Sequence, residues 1–243
     1  MITVAITNFN REQLLYESIE QIIDDERISE IVISDDCSEY GLYCRLVDHY
    51  KAYPKVKIYR NEKNLDCYLN KHKAVSLSSN EWVLLIDSDN VFSKEFIDKI
   101  FEIGVNYGGG FGWVESSILQ PSFAKPHFDF TAFEGLEIEE KNISTYMMMH
   151  QFQTLLNAAN NFFHRDTWLS VFDSTVDPVT SDSIYQNYRW LEAGNSIYVV
   201  PGLHYEHRVS NHGKEEKSHY VKNNRRTKPG FHESIVNKLK AMR

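Results

Sequence analysis

The chain has 243 residues, 42% hydrophobic and 25% charged, a composition typical of folded globular proteins that excludes a largely disordered chain. Its net charge of -8 disfavours a general nucleic-acid binder, because such proteins need a basic surface against phosphate. The three cysteines, Cys37, Cys44 and Cys67, are too few for a disulfide framework and fit a reducing compartment.

The N-terminal run, residues 1–7, is apolar but short, and it has neither a basic flank nor a cleavage site. It predicts a strand rather than a signal peptide. No apolar run in the sequence approaches the roughly 18 residues of a transmembrane helix. We therefore expect a cytoplasmic protein that touches a membrane only peripherally, if at all.

The first half of the chain alternates short apolar runs with helical patterns. The predicted strands are residues 2–7, 31–34, 56–59 and 82–86, and the predicted helices are residues 11–24, 42–50, 68–78 and 93–107. This alternation implies right-handed βαβ units. The predicted fold class is therefore α/β, with a mostly parallel sheet flanked by helices.

The second half is less regular. Three glycines at 108–110 predict a hinge before a strand at 111–116, and residues 121–142 predict a loop over the ligand-binding face. Helices are predicted at residues 147–156, 165–172 and 181–193, the last closed by Gly194, and a strand at 196–200 ends at Pro201.

Polar side chains follow each of the first four predicted strands. They are Thr7 and Asn8, Asp35 and Asp36, Asn61 and Asn64, and the run from Asp87 to Asn90. Ligands of open parallel sheets bind outside the carboxyl ends of the strands. We therefore expect these four clusters to face one crevice.

Two of the clusters carry paired carboxylates. Asp87 and Asp89 follow a wholly apolar strand, where a hard divalent cation with oxygen ligands would offset their repulsion; the alternative is that they cap the following turn. Asp35 and Asp36 could accept hydrogen bonds from the base or ribose of a nucleotide, and the alternative is again turn chemistry.

In this order and spacing, the segments resemble family 2 glycosyltransferases of the GT-A fold. The matching motifs are Thr7-Asn8-Phe9-Asn10-Arg11, Asp35-Asp36-Cys37-Ser38, Asn64-Leu65-Asp66 with Lys71-His72, and Asp87-Ser88-Asp89. The likeness covers residues 1–118 well and 158–212 more loosely. Asp66 replaces the usual Gly and His72 the usual Asn, which leaves the fit of that loop open.

The resemblance implies a role for each matching residue. Thr7 and Asp36 would contact the nucleoside with Asp35 nearby, and Lys71 would approach the base or the diphosphate. Asp89 would be the main ligand of Mn²⁺ or Mg²⁺, with Asp87 near the ribose or the waters of the metal. The predicted nucleotide-binding set is completed by Asn8, Asn10, Arg11, Asn64 and Ser88.

The resemblance also supplies a general base. Family members often carry Glu-Asp at a helix start, a few turns before an Arg and a closing Gly; this chain matches at Asp182, Arg189 and Gly194, with Ser181 in place of Glu. Asp182 would take the proton from an acceptor hydroxyl. The alternative is an Asp favoured at a helix N-terminus by the macrodipole.

Similar enzymes often place a His or an Arg-x-His near this position, so the resemblance implies that a histidine near residue 207 completes the metal or diphosphate site. His207 is the first choice, His212 the second and His204 the third, and Arg208 could pair with phosphate. Exposed loop histidines are the alternative. The absence of a nearby Cys and the oxygen-rich Asp pair make zinc a poor candidate.

The acceptor side is predicted from a looser match. The family often has a strand and an Arg-Asp helix start at the position of Arg165, and Trp113 and Glu115 on the preceding strand could also face the sugar, together with His212. For Phe162 and Phe163, which lie just before Arg165, we favour core packing.

Three regions are expected within a single GT-A-like domain. They are a nucleotide-sugar half at residues 1–118, an irregular acceptor half at 119–213 and a basic helical tail at 214–243. The tail could contact a diphosphate, an anionic acceptor or a membrane surface, or simply pack on the domain through Phe231, Ile235 and Leu239.

The predicted reaction is metal-dependent, inverting transfer of a sugar from a nucleoside diphosphate, with UDP as first candidate, to a hydroxyl of a glycan or other acceptor. A nucleotidyltransferase would normally show a Gly-rich loop after the first strand, which Asn8-Phe9-Asn10-Arg11 lacks. A non-catalytic sugar-binding module stays open because Glu is missing before Asp182.

Overall fold

The computed structural model describes residues 1–104, 111–114, 117–119, 126–158, 160–207 and 228–243. Its strands are β1 Ile2–Asn8, β2 Ile28–Asp35, β3 Val56–Arg60, β4 Trp82–Asp87, β5 Asn90–Val91, β6 Phe111–Val114, β7 Ser117–Leu119, β8 Pro126–Asp129, β9 Glu137–Ile138, β10 Asn161–His164, β11 Ser196–Val199 and β12 His204–His207. Its helices are α1 Glu12–Glu20, α2 Tyr40–Tyr50, α3 Asp66–Leu77, α4 Lys94–Gly104, α5 Glu140–Tyr146, α6 His150–Ala158, α7 Arg165–Ser170, α8 Asp182–Glu192 and α9 Phe231–Ala241.

The main sheet confirms the predicted α/β fold class. Its eight strands run in the order β3-β2-β1-β4-β10-β6-β11-β9. The first four are mutually parallel, as the alternation of strands and helices predicted. Strands β1 and β2 are buried along almost their whole length, which fits their high content of apolar and β-branched residues.

Strand β10 joins the two halves of the chain into this one sheet. It runs antiparallel to β4 on one side and to β6 on the other. Phe162 and Phe163 on it are 5% and 1% exposed, so the core packing favoured from the sequence is confirmed. The antiparallel direction of β10 was not predicted.

A second, smaller sheet lies beside the main one, in the order β5-β12-β7-β8. Strand β12 pairs with β5, which begins directly after Asp89, so the end of β4 and the C-terminal part of the chain meet here. The loop predicted over residues 121–142 is wrong where it is described, because it contains β8, β9 and the start of α5.

Helix ends differ from the predicted ones by a few residues. Helix α1 ends at Glu20 rather than at residue 24, and α6 begins at His150 rather than at residue 147. Gly194, with φ +79°, closes α8 as predicted, because a residue with a Cβ is strained in that conformation. No helix in the described parts of the chain is long and apolar enough to cross a membrane.

Candidate active site

Strands β1 and β4 bring two predicted residues together at their carboxyl ends. The register pairs Thr7 with Asp87, and the Thr7 hydroxyl donates to Asp87 Oδ1 at 2.9 Å. The Ser88 amide donates to the Thr7 carbonyl at 3.2 Å, and the buried Ser88 therefore acts through the backbone of the turn. We call this end of the parallel strands the carboxyl edge, and the end where they begin the amino edge.

The two aspartates at the end of β2 are both buried, but they bind different partners. Asp35 is fully buried and accepts hydrogen bonds from Asn8 at 2.9 Å and from the Ser38 hydroxyl at 2.6 Å. These bonds hold the β1 and β2 ends together. Asp35 and Asn8 therefore have a structural role beneath the surface of the predicted nucleotide site.

Asp36 turns the other way, toward the segment that follows β3. Its Oδ1 accepts from the Asn61 amide at 3.0 Å and from the Leu65 backbone N–H at 2.7 Å. Burial raises the pKa of Asp36 above its ordinary value, although these two hydrogen bonds act in the opposite direction. The four predicted clusters do share one edge, because Asn61 and Asn64 both contact Asp36.

Two exposed amides tie the loops of this edge together. Asn10, with φ +55°, accepts from the Glu39 N–H at 2.8 Å through its side chain, and its own N–H donates to the Ser38 hydroxyl at 2.9 Å. Asn64 donates to the Asp36 carbonyl at 3.2 Å and accepts from the Asp66 N–H at 3.0 Å. Both amides order the loops around the predicted nucleotide site.

The two aspartates of the Asp87-Ser88-Asp89 motif differ in their environment. Asp89 is paired with Arg11, whose Nη1 lies 2.7 Å from its Oδ2, and its side chain is 13% exposed. The Asp87 side chain is 41% exposed. Arg11, predicted as a nucleotide contact, thus neutralises the carboxylate predicted as the main metal ligand.

Lys71 lies between the motif at the end of β4 and Asp182, the predicted general base. Its Nζ lies 2.7 Å from Asp182 Oδ2 and 3.8 Å from Asp87 Oδ2. Burial lowers the pKa of the ammonium, but the two carboxylates outweigh this effect and the pKa lies above its ordinary value. Lys71 is therefore a fixed cation between two carboxylates that are 95 residues apart in the chain.

A cavity opens beside this ion pair. Its polar lining includes Lys71, Asp182, Asn161 and Asn187, and its apolar lining includes Leu85 and Trp168. The Asn161 amide donates to Asn187 Oδ1 at 2.9 Å, which links β10 to α8. Neither asparagine could be assigned to the site from spacing, because the antiparallel placement of β10 brings Asn161 there and the docking of α8 brings Asn187.

The described part of the chain locates the remaining candidates only in part. The backbone of His207 pairs with Asn90, next to Asp89, and His204 lies at the start of the same strand. The backbone of Trp113 lies in β6, opposite Phe162. The predictions for Arg208, His212 and Glu115 fall outside the described residues.

Arg165, which lies in a described part of the chain, is separated from this group. Its guanidinium donates to the carbonyls of Val75 at 3.3 Å and Ser76 at 2.9 Å, at the C-terminal end of α3. Its backbone N–H donates to the carbonyl of Glu81, just before β4 begins. The sugar contact predicted for Arg165 is therefore replaced by a structural role at the amino edge.

Comparison with known proteins shows which family the first part of the chain resembles. Residues 3–106 match the model of glycosyl transferase family 2. This part of the chain is therefore similar to family 2 glycosyltransferases, and the matched region contains the strands β1 to β4 whose ends form the carboxyl edge.

One curated relative is the putative teichuronic acid biosynthesis glycosyltransferase TuaG of Bacillus subtilis (strain 168), 21% identical over 120 residues. The match covers 49% of this chain and 48% of TuaG, so the chain spans about half the length of this relative.

Solved structures of S. aureus TarS share the GT-A-like fold. TarS residues 1–349, alone and in complex with UDP, superpose with a TM-score of 0.61 at 16% identity, over 98% of this chain and 70% of that one. A longer TarS structure gives a TM-score of 0.59 at 18% identity, over 86% of this chain and 37% of that chain.

Proposed function

We propose that this protein transfers a sugar from a UDP-sugar to an acceptor hydroxyl, with inversion and with a divalent cation. The observation that carries the proposal is the position of Lys71, within 2.7 Å of Asp182 and 3.8 Å of Asp87. The carboxylate proposed as the general base, Asp182, thus contacts the same lysine as Asp87 of the motif proposed to bind the cation and the diphosphate. The family 2 match and the UDP complex of the similar TarS fold support the nucleotide.

The residues at the end of β4 fit Mn²⁺ or Mg²⁺ in the way such ions usually bind nucleotides. Mg²⁺ is commonly held by one or two carboxylates, with substrate phosphates and water completing its coordination. Asp87 and Asp89 supply two carboxylates, and no group of three metal-binding side chains occurs among the described residues. His207 is proposed as a further ligand because β12 places its backbone beside Asn90.

Asp89 and Arg11 would then work as a pair. The bound cation would supply charge neutralisation for the departing diphosphate. Arg11 is 40% exposed, so its guanidinium can leave Asp89 for a phosphate oxygen at small cost. Asp36, Thr7 and the loop amides would hold the nucleoside at the neighbouring strand ends.

Asp182 would act as the general base once a bound diphosphate becomes a further anionic partner of Lys71. In the structure the ammonium donates to Asp182. A diphosphate bound near Asp87 offers the same ammonium other acceptors, and this shift would free Asp182 to accept the proton of the acceptor hydroxyl. The attacking oxygen then displaces the diphosphate from the opposite face of the sugar, which inverts the anomeric centre.

A non-catalytic nucleotide-sugar-binding module is the second candidate. The tight Lys71–Asp182 ion pair favours it, because a carboxylate held by an ammonium is a poor base. The two candidates agree on binding and differ on turnover.

The experiment measures UDP release from a panel of UDP-sugars, with candidate glycan acceptors and with Mn²⁺, Mg²⁺ or EDTA. We expect metal-dependent release with at least one donor, and a loss of about 100-fold or more in Asp89→Ala. Asp98→Ala is the matched control, because Asp98 is also paired with an arginine, Arg27, but far from the site. Metal-dependent stabilisation by UDP without release from any donor would favour the binding module.

A further inference from the structure

The C-terminal helix contacts the residue that precedes the proposed base. His232, the second residue of α9, places its Nδ1 3.1 Å from the hydroxyl oxygen of Ser181. Ser181 is 2% exposed and lies directly before Asp182, the first residue of α8. A hydrogen bond thus joins the end of the chain to the start of the base helix.

Helix α9 is firmly docked at this position. Its stripe of Ile235, Val236 and Leu239 is buried, so the packing alternative for the basic tail is confirmed for this helix. The ring of Phe231 lies 5.7 Å from that of Tyr185 on α8. The Lys238 ammonium lies 5.0 Å from the centre of the Tyr188 ring, also on α8.

The backbone leading into Asp182 depends on such contacts. Val179 has φ +49°, a conformation that β-branched residues rarely adopt. Its carbonyl accepts from the Cys67 thiol at 3.1 Å, and its N–H donates to Asp177 at 3.2 Å. A strained turn persists only where its surroundings hold it, and Ser181 is the next point at which the turn is held.

We propose that His232 is a positioning residue for Asp182: through Ser181 it fixes the strained turn and so directs the Asp182 carboxylate toward Lys71 and the bound substrates. This inference rests on the proposed transferase function. It assigns α9 to the catalytic unit rather than to a peripheral tail.

The test compares steady-state kinetics of His232→Ala, His232→Asn, Ser181→Ala and the Ser181→Ala/His232→Ala double variant. Asn carries a hydrogen-bonding atom close to the position of Nδ1, so it can restore the contact. We expect about a 10-fold lower kcat in each alanine variant, with the donor KM within about 2-fold of wild type. The double variant should be no worse than either single one, and His232→Asn should recover most of the loss.

Glu233→Gln is the matched control, because Glu233 is exposed on the same turn of α9. Unchanged kcat per folded molecule in His232→Ala would overturn the inference, and so would multiplicative losses in the double variant. A lower melting temperature with wild-type kcat would also overturn it, since that result indicates a structural role only. If the wild-type protein turns over no donor, the proposed function itself fails, which is a different outcome.

Discussion

The amino edge and the carboxyl edge of the main sheet both carry paired acidic and basic side chains, but these pairs differ in their surroundings. At the amino edge, Glu30 is 2% exposed and accepts from Thr3 at 2.7 Å, Lys57 at 2.6 Å and Ser79 at 2.7 Å. At the carboxyl edge, one lysine, which is 16% exposed, is shared between Asp182 and Asp87, and Asp87 is 41% exposed.

The difference separates charges that hold the fold from charges that remain available to a ligand. Glu30 accepts hydrogen bonds from three neighbouring segments, so a ligand could reach its carboxylate only if these hydrogen bonds were broken. Lys71 can change anionic partners without leaving its place, because two carboxylates already compete for it. Substitutions at the carboxyl edge should therefore change catalysis, and those at the amino edge should change stability.

The largest effect is expected for Asp182→Asn. Loss of a general base typically costs about 100- to 10,000-fold in kcat, and the amide keeps the size of the side chain and can still accept from Lys71. Asp166→Asn is the matched control, because Asp166 also lies in the first turn of a helix and pairs with a cation, Arg165. A wild-type rate in Asp182→Asn would remove the base from the proposed mechanism.

Lys71→Met should lower kcat/KM for the donor by about 100-fold, because the diphosphate loses a cation and two carboxylates lose their shared partner. The comparison is sharpened by Lys57→Met at the amino edge, where the partner is Glu30. Lys57→Met should leave kcat/KM unchanged and lower the free energy of unfolding by at most about 1 kcal/mol. Equal kinetic losses in both variants would contradict the division between the edges.

Glu30→Gln should lower the free energy of unfolding by about 1–3 kcal/mol at pH 7 without changing kcat. Burial raises the pKa of Glu30, but hydrogen bonds from Lys57, Thr3 and Ser79 outweigh it, and the pKa lies below its ordinary value. The carboxylate therefore contributes stability above the unfolded pKa of 4.5, and this contribution is lost as the pH falls through the lower folded pKa.

Urea unfolding of wild type and Glu30→Gln at pH 7 and at acid pH checks this linkage. The difference between the two proteins should shrink once the pH falls below the unfolded pKa. A difference that grows on acidification would show that the sign of the linkage is wrong.

The sequence predicted those parts of the site that depend on the direction of parallel strands. Thr7, Asp35 and Asp87 could be placed at one edge because each ends an apolar strand, and the register confirms that Thr7 and Asp87 are neighbours. The contact between Lys71 and Asp182 could not be predicted from spacing, since it depends on how α8 docks against α3. His232 could not be predicted either, because the apolar stripe of the basic tail indicates packing but does not indicate which element it packs against.

Strand β4 has consequences for where the chain can be cut. On the side away from β1, β4 pairs with β10, which comes more than 70 residues later in the chain. The family match ends before β10, at residue 106. A fragment stopping at residue 118 would leave the apolar segment from Val83 to Ile86 with open backbone donors and acceptors, a template for intermolecular association. Hybrids that exchange C-terminal parts between relatives should therefore carry β10 with the fragment that we propose to bind the donor.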